Sequence, residues 1–201
     1  MTPEIKNLIL DLYSIGAIKF GSFTLKSGLE SPIYIDLRLV ISYPHLMKNL
    51  STELHKISSL LKFDMLCGVP YAALPFATAL SLEGNYPMIM CRKEVKDYGT
   101  KKLIEGNFQK KQTCLLIEDV ITFGTSILET ATALRNSDLK VSDVIVLLDR
   151  KQGGRQKLKE SAIELHALLN VLDLLQVLFE EDKISEETFK DVNTFLENSI
   201  K

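Results

Sequence analysis

With 201 residues, 46% of them hydrophobic, and a formal net charge of −2, the chain can bury one sizeable core and has no electrostatic reason to bind nucleic acid. No apolar stretch could span a bilayer, and Met1-Thr2-Pro3-Glu4 lacks the basic and apolar regions of a signal peptide. A cytoplasmic protein with no membrane or nucleic-acid partner is expected, and the dispersed Cys67, Cys91 and Cys114 read as reduced thiols in or beside core strands.

The chain opens on a helix at Thr2-Pro3-Glu4, with Leu8, Leu12 and Ile15 recurring on one face. Tyr34-Ile35-Asp36-Leu37-Arg38 alternates apolar and polar residues and predicts a strand, part of a small hood formed by roughly the first 40 residues. Pro44 starts a helix that runs to Leu61. Residues 64–69 predict the first core strand and 72–82 its crossover helix; 87–91, 113–117 and 142–148 predict three further strands, and 163–169 a last one. Two amphipathic helices close the chain, the second capped by Ser185 with Thr188 following. This alternation predicts an α/β fold with a mainly parallel sheet, and no internal repeat or low-complexity linker divides residues 1–201, so a single domain is expected.

Residues 115–126, Leu-Leu-Ile-Glu-Asp-Val-Ile-Thr-Phe-Gly-Thr-Ser, carry the most chemistry. An apolar strand ends in two carboxylates, Glu118 and Asp119, and a hydroxyl-rich loop then opens a helix near Ile127. Unpaired N–H groups and the macrodipole at such a helix start favour a phosphate dianion. The two carboxylates would repel a bare phosphate, so the ligand should also carry hydroxyls or a divalent cation, as a sugar phosphate does. The plain alternative is an ordinary strand–turn–helix joint. No Gly-x-x-x-x-Gly-Lys-Ser/Thr or strand-following Gly-x-Gly-x-x-Gly occurs, which counts against a P-loop nucleotidase or a dinucleotide fold. His45, His55 and His166 are dispersed and predict no metal site of their own. Arg92, Lys93, Lys96, Lys101 and Lys102 form a cationic run interrupted by Asp97, Tyr98, Gly99 and Thr100; a solvated charged surface is its plain reading.

The 115–126 segment resembles the phosphoribosyl-pyrophosphate signature of type I phosphoribosyltransferases. Three further blocks are similar to orotate phosphoribosyltransferases: residues 20–36, Phe-Gly-Ser-Phe-Thr-Leu-Lys-Ser-Gly-Leu-Glu-Ser-Pro-Ile-Tyr-Ile-Asp; residues 92–99, Arg-Lys-Glu-Val-Lys-Asp-Tyr-Gly; and residues 147–154, Leu-Leu-Asp-Arg-Lys-Gln-Gly-Gly. All four stand in that family's order, and the chain looks most like the transferase half of bifunctional uridylate synthases. The resemblance implies a type I phosphoribosyltransferase fold, a central mainly parallel sheet flanked by helices with an N-terminal hood. It implies displacement of pyrophosphate from phosphoribosyl pyrophosphate by N1 of orotate, with Mg²⁺ held mainly by substrate oxygens and water.

Site roles follow from the same resemblance. Glu118 and Asp119 would take the ribose hydroxyls, and Val120, Ile121, Thr122, Phe123, Gly124, Thr125 and Ser126 would carry the 5′-phosphate loop. Tyr71 and Ala72 would present backbone N–H groups to the diphosphate, while Arg92, Lys93 and Lys96 would supply cations and Tyr98 a hydrogen bond. Asp119, Glu118, Lys96 and Lys93 would be catalytic. Lys26 would touch substrate at the site entrance, Tyr34 and Ile35 would line the base pocket with Thr122 nearby, and Arg150 would fork onto the orotate carboxylate. Four positions depart from the bacterial pattern: Ala72 replaces a Lys, Tyr98 a His, and Tyr34-Ile35 two Phe. A phenol's reference pKa of about 10 argues against giving Tyr98 a proton-transfer role. The resemblance also implies a homodimer whose cationic loop serves the neighbouring subunit, and an orotidylate decarboxylase domain or partner, whose Asp-x-Lys-x-x-Asp signature is expected to be absent. A purine phosphoribosyltransferase, or a non-catalytic regulator that senses phosphoribosyl pyrophosphate, are the alternative readings.

Overall fold

The computed structural model describes residues 1–24, 30–93 and 103–198. Helix α1 (Pro3–Ser14) starts as expected, with the Thr2 hydroxyl accepting the Ile5 N–H and Pro3 in the first turn. Strands β1 (Ile18–Thr24) and β2 (Glu30–Ile35) form a separate antiparallel pair, Ile18 opposite Ile35 and Phe20 opposite Ile33. This pair is the hood. The strand predicted at 34–38 is corrected: β2 ends at Ile35, and Leu37–Ser42 is a 3₁₀ helix. The Asp36 carboxylate accepts the Arg38 N–H at 3.2 Å, a local bond that turns the chain where strand pairing would have to continue.

The main sheet takes β3 (Met65–Gly68), β4 (Met88–Cys91), β5 (Ile104–Glu105), β6 (Cys114–Ile121), β7 (Asp143–Asp149) and β8 (Glu164–Asn170) in the order β5-β4-β3-β6-β7-β8. All its pairings are parallel except β4 with β5. Helices α2 (Pro44–Ser58), α3 (Leu74–Gly84), α4 (Thr125–Arg135), α5 (Gly154–Glu160), α6 (Val171–Glu180) and α7 (Glu186–Asn198) complete the fold. Strand residues alternate between two apolar layers. Leu66, Leu115, Ile117, Ile145 and Leu147 pack with α1, α2, α3, α6 and α7. Met65, Cys67, Cys114, Leu116, Val144 and Val146 pack with α4 and α5. Burial on both faces explains why these strands read as continuous apolar runs. The three cysteines are buried and unpaired on β3, β4 and β6. Among the described residues no helix is long and apolar enough to cross a membrane.

From β3 the chain goes outward to β4 and β5, then returns to β6 on the other side. That reversal between β3 and β6 is where ligands bind in open α/β sheets. One sequence expectation fails on the sequence itself. Asp138-Leu139-Lys140-Val141-Ser142-Asp143 does have the Asp-x-Lys-x-x-Asp spacing. Its two carboxylates are engaged structurally, Asp138 with Lys110 at 2.7 Å and Asp143 with His166 at 2.8 Å, where β7 begins rather than where it ends.

Candidate functional site

β3 stops pairing at Gly68, opposite Ile117, whereas β6 runs on beside β7 to Ile121. Glu118 and Asp119 therefore lie within β6 rather than after the predicted 113–117 strand, at the point where the β3 neighbour has ended and a crevice opens. Alternation sends the two side chains to different surroundings. Glu118 is 5% exposed; its Oε2 accepts the Ser126 hydroxyl at 2.8 Å and its Oε1 the Asp119 N–H at 3.1 Å. Burial, and then the neighbouring Asp119, push the Glu118 carboxyl up to about 8.

Asp119 is half-buried and lines a cavity of about 580 Å³ with Glu118, Val120, Ser126, Tyr71, Ala72 and Lys93. These seven residues, taken from four separate stretches of sequence, are all ones the sequence singled out. The peptide between Pro70 and Tyr71 is cis, an unusual backbone conformation in the loop that follows β3. The Lys93 ammonium stands 5.3 Å from the centroid of the exposed Tyr71 ring, a cation–π arrangement at the cavity wall.

The sequence reading missed Arg38, which also lines this cavity. Its guanidinium forks onto Asp36, Nε to Oδ1 at 2.6 Å and Nη2 to Oδ2 at 2.8 Å. Asp36 holds the Arg38 charge in place, with a smaller contribution from Asp119. The only signal available was its position two residues after the end of the 20–36 block.

The loop from Thr122 to Gly124 leads into α4, whose N-cap is Gly124 at φ 75, ψ 13, with no side-chain cap. The first-turn N–H groups of α4 are thus left for a ligand. Phe123 is 57% exposed, so burial of its ring does little to fix the loop. What fixes it is the turn after β7. The Gly154 N–H donates to the Thr122 carbonyl at 3.0 Å, and the Arg150 N–H to the Ile121 carbonyl at 3.0 Å. A Cβ on Gly154 would stand 2.7 Å from the Thr122 oxygen and from Ile121, so only glycine allows this approach.

The Arg150 Nε and Nη2 are buried without an acceptor among the described residues, and burial pulls the guanidinium down from its ordinary pKa. A cation in that condition wants an anion. Tyr34 stacks on Phe23, ring centroids 5.4 Å apart, and Ile35 packs on the main core; neither they nor Arg150 line the 580 Å³ cavity. Arg92 lines an adjoining cleft of about 470 Å³ that shares Pro70, Lys93 and Ser126 with it. Lys26, Lys96 and Tyr98 lie outside the described residues. A larger cleft of about 630 Å³ between the hood and α7 is lined, among the described residues, by the carboxylates Glu30 and Asp191 and by no cation. Among the described residues no group of three His, Cys, Asp or Glu side chains is placed to hold a metal ion. Glu118 and Asp119 are the acidic donors at the cavity, so Mg²⁺ fits there only as an ion that takes most of its oxygens from ligand and water.

Fold and site together define an α/β protein that presents an acidic pair and an uncapped helix start at the reversal point of its sheet. Residues 44–165 match the family model described as the phosphoribosyl transferase domain, and the chain belongs to that family. A uridine 5′-monophosphate synthase of Bos taurus is 45% identical over 195 residues, covering 96% of this chain and 41% of the bovine protein. An orotate phosphoribosyltransferase of Chlamydia caviae is 41% identical over 191 residues, 94% of this chain and 93% of that protein. The solved structure of Leishmania donovani UMP synthase superposes with a TM-score of 0.89 at 35% identity, covering 98% of this chain and 43% of that one. The chain thus spans about two fifths of the length of the synthases it matches.

Proposed function

We propose that the chain, acting as one domain, transfers the phosphoribosyl group of phosphoribosyl pyrophosphate to N1 of orotate, giving orotidine 5′-monophosphate and pyrophosphate in pyrimidine biosynthesis. The observation that carries this reading is the single cavity in which Glu118, Asp119, Tyr71, Ala72, Lys93 and Ser126 meet beside the uncapped start of α4. The relative from Chlamydia caviae, matched over nearly its whole length, supports orotate as the base.

The bond from the anomeric carbon to the diphosphate oxygen breaks, and the bond from that carbon to N1 forms. Ionised orotate is already a nucleophile, so the protein's work is positioning and charge stabilisation. Asp119 and Glu118 accept the ribose hydroxyls, and Asp119 faces the carbon that gathers positive charge. The 122–126 loop takes the 5′-phosphate through backbone N–H groups and hydroxyls. The backbone at Tyr71 and Ala72, with Arg92, Lys93 and Lys96, holds the departing diphosphate, to which Tyr98 donates. Mg²⁺, when bound, neutralises that leaving group. Arg150 takes the orotate carboxylate, Tyr34, Ile35 and Thr122 flank the ring, and Lys26 meets substrate at the entrance. A homodimer with part of the cationic loop acting across its interface completes the site. An orotidylate decarboxylase domain or partner that consumes the product fits the longer relatives. Three unpaired thiols suit the reducing cytoplasm.

The test is base choice. Pyrophosphate release should occur with orotate and not with adenine or hypoxanthine, and Arg150→Ala should raise the Michaelis constant for orotate far more than that for phosphoribosyl pyrophosphate. Release with a purine, or equal changes in both constants, would reject the assignment.

A further inference from the structure

β5, which the sequence reading passed over, has a consequence for Arg92. Its two residues pair antiparallel with β4, Glu105 opposite Met90 and Ile104 opposite Cys91, and the Arg92 N–H donates to the Leu103 carbonyl at 2.9 Å. The two segments are therefore pinned together on either side of residues 94–102. This pinning brings the Glu105 Oε1 to 2.6 Å from the Arg92 Nη2. The Arg92 Nε is buried and has no acceptor among the described residues, and the side chain borders the 470 Å³ cleft that adjoins the diphosphate cavity.

We propose that Glu105 is a positioning residue: its carboxylate holds one amino group of Arg92 and so fixes the guanidinium beside the diphosphate before the ligand arrives. The proposal rests on the reading of Arg92 as a diphosphate ligand. Two effects of Glu105 oppose each other. Ordering a long, flexible side chain in advance removes part of the entropy that ligand binding would otherwise lose. Placing a negative charge near the site weakens attraction for the diphosphate. Both side chains are partly exposed, 28% for Arg92 and 38% for Glu105, so solvent screens the repulsion and the ordering effect wins. One held amino group also leaves the remaining donors of the fork for phosphate oxygens.

The experiment is calorimetric titration of phosphoribosyl pyrophosphate with Mg²⁺, without orotate, into the wild type, Glu105→Ala, Arg92→Ala and the double variant. Glu105→Ala should weaken binding up to about fivefold, the scale of a partly exposed ion pair. In the Arg92→Ala background the same change should alter binding by less than about twofold, because nothing remains to be positioned. Glu105→Met, which keeps the side-chain length but offers Arg92 no oxygen, carries the same comparison should the alanine variant fail to fold. Unchanged or tighter binding by the Glu105 variant, or an equal loss in both backgrounds, would overturn the positioning role. An Arg92→Ala variant that binds as the wild type does would overturn it too. Turnover of orotate by the wild type is measured separately, so failure of this inference is distinguishable from failure of the transfer reading.

Discussion

Neighbouring carboxylates in one strand, Glu118 and Asp119, have been given different environments, and their expected behaviour differs accordingly. Glu118 keeps its proton in the folded, ligand-free protein up to a pKa of about 8, whereas an unfolded chain releases it near 4.5. Between those values the unfolded state has lost a proton that the folded state still binds, so stability falls as pH rises through that window. The slope reaches about 1.4 kcal/mol per pH unit. Glu118→Gln removes the ionisation while keeping groups that can bond Ser126 and the Asp119 N–H. Its melting temperature without ligand should exceed that of the wild type at pH 8, with the gap shrinking towards pH 5. Parallel melting curves across that range would contradict the assignment. Asp119, open to the cavity, is the residue proposed to act on the developing charge instead. Asp119→Asn should lower turnover by a factor on the order of 10²–10³, by analogy with the loss of one preorganised charge-stabilising group. Steady-state kinetics with unchanged turnover would remove it from the mechanism.

The loop from Thr122 to Gly124, proposed to take the 5′-phosphate, is an example of elements holding a site in shape. It is anchored from behind by the Gly153-Gly154 turn, which joins β7 to α5. Gly154→Ala would drive a Cβ to within 2.7 Å of a backbone oxygen, which cannot swing away as a flexible side chain would. Denaturant unfolding should show a loss of roughly 1–3 kcal/mol, and affinity for ribose 5-phosphate should fall with it. A variant that keeps both would show that the turn is not the anchor. β3 and β7 were legible because both faces are buried and the apolar runs are unbroken, and β4 and β8 from shorter apolar stretches. So was the start of α7, where the Ser185 hydroxyl accepts the Thr188 N–H at 3.1 Å. β5 was not legible, since two residues carry no period, and α5 was missed because its seven residues give barely two helical turns. The site was legible as separate motifs. That Arg38 joins them was not, because its place depends on a 3₁₀ turn set by a single side chain.

At the scale of the whole molecule, the family assignment supplies a fold, and the cavity at the reversal point of the sheet supplies the chemistry. A homodimer that shares its cationic loop makes a further demand. Mixing inactive Lys96→Ala subunits with inactive Asp119→Asn subunits should restore partial activity through hybrid dimers, whereas no recovery despite proven subunit exchange would mean the loop serves its own chain. The most direct test of the central claim is the loss of orotate absorbance on mixing the protein with orotate, phosphoribosyl pyrophosphate and Mg²⁺, each omitted in turn. Loss that requires all three, with orotidylate and pyrophosphate as products, is the predicted result; folded protein that binds phosphoribosyl pyrophosphate yet leaves orotate untouched would contradict it.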